Sequence, residues 1–347
     1  MNLRDGILAV RSSAAMSRLH HVHMVRIRGG GAFDAIDRIF TRDLYLRDGQ
    51  MIHGLLLDEE ARVFADCYLA SDDQEFFLLG EGPDKHELLD YLRRHAAAFA
   101  DVEILDAGEG HRLIGLDGPY AWELLARLVG QEVVGLPYLT FFFFEELLCC
   151  RAGKTGEFGY VIIAPEHTAD DTWERLANAG GDLRVAEVTL DVLDHCALES
   201  WFFNVRAEGR RPVTPLELQL QWRISRRKEY VGSSSLQERR KSPVAQRLTC
   251  LVSDSPIQVD DVVRHGAAVV GQVVNAGFSP VRDDWVTLAL LDTEYAYPGI
   301  ADFRVGTEEI RARSVSPPVV NNRSLYVNPQ VHSYATRHET DFPALRR

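Results

Sequence analysis

The sequence lacks long apolar runs and paired cysteines. Charged side chains are spread over its first 30 residues, at Arg4, Asp5, Arg11, Arg18, Arg26 and Arg28. No stretch there resembles a signal peptide or a membrane span. The five cysteines are odd in number and show no CxxC spacing, which is typical of buried, reduced thiols in a cytosolic protein. We therefore expect a soluble, cytoplasmic protein with no membrane partner.

Positive charge is also scarce. Lys and Arg number 38 against 51 Asp and Glu, which gives a net charge of -13. Such a chain repels phosphate backbones, so we predict no nucleic-acid partner. Any small anionic ligand would need a local basic patch. The 347 residues, 46% of them hydrophobic, are enough for a large core and for two or three domains.

Strand-like alternation is interleaved with helical spacing along most of the chain, and no period of repeat length recurs. This pattern predicts an α+β fold rather than a solenoid. Residues 1–110 and 111–243 read as two successive α+β regions. Residues 244–315 contain strand patterns alone, which predicts a small C-terminal β-barrel. Residues 316–347 are expected to lie on the surface as an extended tail.

One carboxylate, Asp66, lies inside a strand pattern. In the segment VFADCYL, alternation places Asp66 on one face with Phe64 and Tyr68. Poor solvation there would raise its pKa and suit it to proton exchange near neutral pH. The alternative is a strand-end Asp that accepts backbone hydrogen bonds.

A second carboxylate, Glu199, stands among apolar and aromatic neighbours in the segment CALESWFF. A buried carboxylate needs a partner. One candidate partner is Arg206, inside the protein. The other is a ligand edge with two adjacent donors, which a carboxylate can accept together.

Cations are dense in one stretch of this otherwise acidic chain. Trp222 is followed by Arg223, Arg226, Arg227 and Lys228. This density predicts an anion-binding site. The alternative is an ordinary solvated surface.

Histidines are concentrated in the segment RLHHVHM, as His20, His21 and His23. Three close histidines raise the hypothesis of a metal site. No carboxylate or cysteine group stands in evident register to complete one, so we predict no metal. On a strand, His21 and His23 would share one face and His20 would point to the other. We expect His21 or His23 to act toward a substrate as a base or hydrogen-bond donor.

Glycines recur in residues 151–160, RAGKTGEFGY. Three glycines in ten residues require unusual backbone geometry. A phosphate loop is excluded because no glycine stands five residues before Gly153. We predict a tight glycine turn that lines a ligand channel, with Lys154 as a candidate substrate contact.

Several of these stretches resemble motifs of the folate-dependent aminomethyltransferase family, which includes the glycine-cleavage T-protein. RAGKTGEFGY is similar to SRTGYTGEDGFE, Leu198-Glu199 to the end of RLE, and KEYVG at 228–232 to KxDFxGK. His21 matches the histidine of FDVSHMG, and Gly118-Pro119 matches the QGP turn. The resemblance runs from about residue 9 to residue 305. It implies three domains in a ring around a central channel, with folate entering from one face.

The resemblance also implies tetrahydrofolate as cofactor, in its free, 5-methyl or methylene form. Asp66 corresponds to the second Asp of GGIxDDLxV, which lies next to the reactive folate nitrogen. Glu199 corresponds to the glutamate of RLE, which would hold the pterin. The cofactor-binding residues implied by the resemblance are Glu199, Arg226, Arg227, His53 and Trp222, with the two arginines at the glutamate tail.

The chain departs from the family motifs at several positions. The first Asp of the pair is Ala65, and both arginines of RDxLRLE are missing. Lys154 replaces the family tyrosine, and Val161 replaces the family glutamate. The FxGW motif of relatives has no counterpart here. These departures favour an altered substrate over glycine cleavage itself.

We therefore predict a tetrahydrofolate-dependent one-carbon transferase of the methyltransferase or demethylase class. It would demethylate a small O-, N- or S-methyl compound, or pass a methyl or methylene unit from folate to an acceptor. Asp66 and His21 are the predicted catalytic residues, and His20, His23 and Lys154 the substrate-binding residues. A carrier-protein partner is less favoured than a small molecule.

Three alternatives stay open. One is the aminomethyltransferase of glycine cleavage. Another is a non-catalytic folate-binding protein like the relatives that assist iron–sulfur assembly, although the cysteine of their KxCYxGQE motif is absent here. The third is a folate-independent enzyme that reuses the same cavity.

Overall fold

The computed structural model describes residues 1–73 and 75–346. Up to residue 110 the elements are α1 (Leu3–Ser12), β1 (Ala15–Arg18), β2 (His23–Arg28), α2 (Ala32–Ile39), β3 (Gln50–Leu57), β4 (Val63–Asp72), β5 (Glu75–Glu81), α3 (Lys85–Ala96) and β6 (Glu103–Asp106). From 111 to 243 they are β7 (His111–Asp117), α4 (Ala121–Val129), β8 (Phe141–Phe144), β9 (Leu147–Cys150), β10 (Gly159–Pro165), α5 (Glu166–Ala179), β11 (Ala186–Glu187), α6 (Leu190–Ser200) and α7 (Ser233–Arg239). Beyond residue 243 they are β12 (Gln246–Ser253), β13 (Val262–His265), β14 (Ala268–Ser279), β15 (Asp284–Asp292), β16 (Phe303–Val305) and β17 (Ile310–Val315).

The first sheet is antiparallel, with five strands in the order β3-β4-β5-β2-β6. Alternation along β4 sends Ala65, Cys67 and Leu69 into a core shared with α2 and α3. Helix α3 begins at a capping box formed by Asp84 and Glu87. The mixture of strands and helices that the sequence pattern predicts is present in this region.

The second sheet has the order β11-β1-β7-β10-β9-β8. Strand β1 pairs with β7 on one side and with β11 on the other, and α1 packs against α6. The first 18 residues therefore belong to the second sheet. The boundary that we placed at residue 110 does not coincide with the division between the sheets.

The C-terminal strands form a closed barrel in the order β12-β15-β14-β13-β16-β17. Its interior contains Leu251, Val263, Ala289 and Phe303. The α+β class and the C-terminal barrel are thus confirmed. Strands β13 and β16 have only four and three residues, too few for alternation to show clearly in the sequence.

The last residues do not simply lie on the surface, as we had expected. Val319 and Val320 are buried in the core between the barrel and the first sheet. Asn322 is buried and accepts a hydrogen bond from Arg11 at 3.1 Å. Tyr334 packs edge-on against Tyr120, with 5.4 Å between the ring centroids. Most of residues 316–346 are exposed or half-buried, and a few of them supply partners to groups inside the protein.

Two further observations concern the predicted compartment. No described helix is long and apolar enough to cross a membrane. All five cysteines are buried, free thiols, as the sequence predicted. Burial raises the pKa of the Cys149 thiol to about 12, so this thiol is unreactive at neutral pH.

Candidate functional site

A cavity lies between the two sheets, where β4 and β5 face β7 and β10. Its envelope, which includes space open to solvent, is about 710 Å³. Much of the wall is apolar and includes Leu19, Val22, Tyr68, Leu193 and Phe203. The charged and titratable side chains on the wall are His21, Glu81, Asp117, Lys154, Asp194 and Arg206.

The glycine segment forms one side of the cavity. Gly156 has φ +83°, in the left-handed region that favours glycine. A Cβ on Gly153 would lie 2.9 Å from the Cα of Gly159, because two backbone stretches touch there. The turn brings Lys154 and Thr155 to the cavity wall. The predicted tight glycine turn is therefore present and lines a cavity. That this cavity is a ligand channel stays a prediction.

Lys154 bridges two carboxylates of the first sheet. Asp66 and Glu81 are cross-strand partners on β4 and β5. Two like charges in that position repel each other. Lys154 Nζ lies 2.8 Å from Asp66 Oδ2 and 2.7 Å from Glu81 Oε1, which removes the repulsion. Lys154 and Glu81 line the cavity, whereas Asp66 is only 1% exposed and lies behind Lys154.

Asp66 is held as an anion by its other neighbours. Its Oδ1 lies 2.8 Å from His53 Nε2 and accepts a hydrogen bond from Arg223 Nη1 at 2.9 Å. Burial alone would raise the pKa of Asp66, but His53, Lys154 and Arg223 together lower it well below its usual value. The raised pKa that we expected is wrong, because the sequence did not show these partners. His53 is itself uncharged, since burial lowers its pKa to about 4.

Charged groups continue from Glu81 toward α6. Arg206 Nη1 donates to Glu81 Oε2 at 2.5 Å, and its Nη2 donates to Asp194. His21 Nε2 lies 3.9 Å from Glu81 Oε2. Burial lowers the pKa of His21 to about 4, so this imidazole is neutral and weakly basic at pH 7. Of the two predicted catalytic residues, His21 lies on the wall itself.

Glu199 does not reach the cavity. It is fully buried; its Oε2 accepts from Arg11 Nε at 3.0 Å and Nη2 at 2.9 Å, and its Oε1 accepts from Ser279 Oγ at 2.5 Å. The predicted pterin contact is thus not supported by this geometry. The alternative partner, Arg206, is also wrong, because it pairs with Glu81 and Asp194.

The periodicity of α6 explains this placement. Residues at 190, 193, 194 and 197 face the cavity, at helical spacings of three and four. Glu199 is two residues past Ala197, about 200° further around the helix, and so points to the opposite side. The glutamate that is conspicuous in the sequence therefore belongs to an interior ion network.

Comparison with known proteins fits this architecture. The family described as the GCVT N-terminal domain matches residues 2–228 of the chain. The chain belongs to the GCVT family. It is 27% identical over 313 residues to the aminomethyltransferase of Thermotoga petrophila, covering 85% of each protein. It is 28% identical over 308 residues to that of Chlorobaculum tepidum, covering 85% of this chain and 84% of the relative.

A solved structure shows the same fold as this GCVT-family chain. The glycine cleavage system aminomethyltransferase T from Bartonella henselae superposes with a TM-score of 0.83 at 23% sequence identity. The superposition covers 93% of this chain and 90% of the other. The resemblance to the T-protein family and the T-protein type of fold, inferred from the motifs, are confirmed.

The positively charged residues that follow Trp222 in this GCVT-family chain lie partly in the interior and partly on the surface. Arg223 is buried against Asp66, whereas Arg226 and Arg227 are exposed. Trp222 is 61% exposed, with the Arg223 guanidinium 4.8 Å from its ring centroid. Arg226 lines a separate groove with Arg240 and Arg247. None of these residues lines the central cavity itself.

The histidine segment forms a turn rather than a strand. Val22 N donates to Leu19 O at 3.2 Å, and β2 begins only at His23. His20 and His23 consequently line a groove outside the central cavity, together with Lys85 and Asp106. The condition for the expected alternation, a strand through all three histidines, is not met, and only His21 of the three faces the cavity. Among the described residues no His, Cys, Asp and Glu group could hold a metal ion.

Four charged residues of the wall were not predicted as site residues: Glu81, Asp117, Asp194 and Arg206. Glu81 and Arg206 are 125 residues apart, so no local spacing could connect them. Asp117 could have been noticed, because it ends an apolar strand just before Gly118-Pro119. Asp194 lies three residues before Ala197 on the same face of α6. This spacing identifies Asp194 as a site residue only when it is known that this face lines the cavity.

Proposed function

We propose that this GCVT-family chain is a tetrahydrofolate-dependent one-carbon transferase that acts on a small molecule in the central cavity. Family membership and aminomethyltransferase relatives over 85% of the chain support this reading. The observation that carries it is the anionic Asp66 directly behind Lys154 at the cavity wall. The reaction is either demethylation of an O-, N- or S-methyl compound or delivery of a methyl or methylene unit.

The cavity suits the faces of a pterin ring better than its edge. Its apolar wall, with Tyr68, Leu193 and Phe203, fits a flat ring. Glu199 is not available to the donors of the pterin edge, because Arg11 and Ser279 occupy both of its oxygens. The exposed Arg226 and Arg227 follow Arg223 on the same loop, and we propose that they hold the glutamate tail.

Tetrahydrofolate would supply the nitrogen that takes up or releases the one-carbon unit. Positive charge develops near that nitrogen during transfer, and a fixed anion stabilises it. Asp66 provides such an anion because Arg223 and Lys154 keep its pKa low. Lys154 stands between Asp66 and the cavity, so a ligand reaches Asp66 only when Lys154 moves toward Glu81. His21, unprotonated at the wall, can accept a hydrogen bond from the substrate.

Replacement of Asp66 by Asn tests the proposal. We expect Asp66→Asn to lower turnover by about two to three orders of magnitude, because the fixed charge is lost. Binding of tetrahydrofolate should remain, measured by calorimetry with the free, 5-methyl, methylene and polyglutamylated forms. Glu109→Gln, an exposed carboxylate of the first domain, is the matched control. Full activity of Asp66→Asn would contradict the role of Asp66.

The aminomethyltransferase of glycine cleavage is the second candidate, because the relatives from Thermotoga petrophila and Chlorobaculum tepidum are named aminomethyltransferases. In that case the one-carbon unit would arrive as an aminomethyl group on a carrier protein. An assay that offers aminomethyl-loaded carrier protein and free methylated amines side by side separates the two candidates. If no form of folate binds, both candidates fail and a folate-independent use of the cavity takes their place.

A further inference from the structure

Asp117 is the last residue of β7 and lines the central cavity. Strand β7 lies in the middle of the second sheet, and Asp117 is paired with Ala15 on β1 and with Gly159 on β10. The residue is 7% exposed. Its backbone is therefore held on both sides, and its carboxylate has a fixed position relative to the cavity.

Asp117 differs from the other carboxylates at the cavity. Asp66, Glu81 and Asp194 each contact at least one Lys or Arg side chain. Asp117 accepts a hydrogen bond from Thr155 Oγ1 to its Oδ1 at 2.8 Å. Within the described part of the chain, no Lys, Arg or His nitrogen lies within 4.0 Å of its carboxylate. It is thus the carboxylate of the wall that has no cationic partner.

The apolar surroundings of Asp117 make the lack of a cationic partner energetically unfavourable. The cavity wall is largely apolar and includes Leu19, Val161, Leu190 and Leu193. A buried carboxylate without a cation is unfavourable, and its pairing with a cation restores much of the lost solvation. Lys154 and Arg206 cannot serve, because each is already bound to carboxylates. Arg151 and Arg11 are close enough to lower the pKa of Asp117, but neither lies within 4.0 Å of its carboxylate, and they donate to Gly159 and Glu199 instead. A ligand in the cavity can therefore bring a positive charge into direct contact with Asp117.

We propose that Asp117 binds the cationic nitrogen of an alkylammonium ligand whose apolar groups pack against the cavity wall. An amine that carries methyl or other short alkyl groups has this combination of one charge and an apolar body. The identification of this ligand as the substrate rests on the proposed function. The cation site itself needs no folate.

The protonation of Asp117 gives the site a characteristic pH dependence. Burial raises the pKa of Asp117 to about 6, although the Thr155 hydrogen bond and the charges of Arg151 and Arg11 act in the opposite direction. Glu157, a like charge, adds to the upward shift. At pH 8 the carboxylate is ionised, whereas at pH 5 roughly one tenth of it is.

Most other titratable groups of the cavity keep their charge over the same pH range. The pKa of His21 is lowered to about 4, so His21 stays neutral. The pKa values of Asp66 and Glu81 are lowered, so both stay anionic, and that of Lys154 is raised, so it stays cationic. Burial raises the pKa of Asp194, which makes a variant of Asp117 necessary for the assignment.

Choline and its neutral carbon analogue, 3,3-dimethylbutan-1-ol, form a suitable pair of probes for the full-length protein. They have nearly the same shape, and the charge of choline does not depend on pH. By calorimetry at pH 8, we expect choline to bind at least about tenfold more tightly than the alcohol. At pH 5 the affinity for choline should fall roughly tenfold, while that for the alcohol should stay unchanged.

The decisive variant is Asp117→Asn, which keeps the shape and removes the charge. It should bind choline and the alcohol alike at both pH values. Glu187→Gln removes one exposed charge from the same sheet and should behave like the unchanged protein. If Asp117→Asn does not fold, as judged by thermal melting, the pH series is repeated on Asp194→Asn, in which a roughly tenfold loss of choline affinity at pH 5 can no longer come from Asp194. An affinity for choline that does not change with pH in that variant overturns the proposal.

Two further results would overturn the proposal: equal binding of choline and the alcohol at pH 8, or a preference for choline that persists in Asp117→Asn. Because these titrations contain no folate, their outcome is separate from the proposed function. If the protein prefers choline but binds no folate, the transferase proposal is refuted and the proposed cation site is supported. If it binds folate but shows no preference for choline, only the proposed cation site is refuted.

Discussion

Replacement of Glu199 by Ala tests whether this residue stabilises the fold or holds a ligand. In the structure, Glu199 accepts two hydrogen bonds from the guanidinium of Arg11, at 2.9 and 3.0 Å, and one from Ser279 at 2.5 Å. Arg11 is 0% exposed and would lose its closest carboxylate. Removing one member of a buried ion pair destabilises a protein by about 3–5 kcal/mol.

The remaining partners of Arg11 place the expected loss near the lower end of that range. Glu157 Oε1 lies 3.4 Å from Arg11 Nη1, and the carbonyl of Thr155 accepts from the same nitrogen at 2.6 Å. We therefore expect Glu199→Ala to lower the free energy of unfolding by about 3 kcal/mol. Any weaker ligand binding would then follow from the loss of stability.

Urea unfolding followed by tryptophan fluorescence measures this change. Asp191→Ala is the control, because Asp191 is an exposed carboxylate on the same helix α6. Its effect should stay within about 0.5 kcal/mol. The reasoning is refuted if Glu199→Ala is as stable as Asp191→Ala, and most clearly if it also loses tetrahydrofolate binding at full stability.

Three further predictions use the same unfolding assay. Lys154→Met leaves Asp66 and Glu81 facing each other without a cation between them and should lower the free energy of unfolding by about 2 kcal/mol. The control is Lys85→Met, which breaks the more exposed ion pair with Asp106 and should cause no clear change. Gly156→Ala places a Cβ 2.3 Å from Asn322 Nδ2 at φ +83° and should lower stability by at least about 2 kcal/mol; an unchanged midpoint would contradict the close approach of this turn to Asn322. Burial raises the pKa of Glu208 from 4.5 to about 7, so stability should fall by about 3 kcal/mol as pH rises between these values, and Glu208→Gln should remove that part of the slope.

Much of the fold could be read from local patterns. Strands β4 and β5 are short, largely apolar runs, and α3 has both an apolar face and a capping box, so each was predictable from a few neighbouring residues. The position of β1 in the second sheet was not predictable, because its partners β7 and β11 lie about 100 and 170 residues further along the chain. Local patterns carry no information about such pairings.

The site was predictable only in part, for a similar reason. Lys154 was found because the glycine turn that holds it is a local feature. The ionised state of Asp66 could not be predicted, since its low pKa depends on Arg223, which is 157 residues away. The role given to Glu199 failed because sequence shows that a buried carboxylate needs a partner but does not show which one. Arg11, 188 residues earlier, was the partner.

The position of Arg11 has a consequence for how the protein is made. Its side chain is bonded to Thr155, Cys196, Glu199 and Asn322, which follow it by 144 to 311 residues. During synthesis, Arg11 leaves the ribosome 188 residues before Glu199 and 311 residues before Asn322. Domains usually fold as units from the N-terminal end. Here the charge of Arg11 lacks its closest carboxylate partner until the chain has reached Glu199, so α1 cannot complete its contacts while the first sheet is being made.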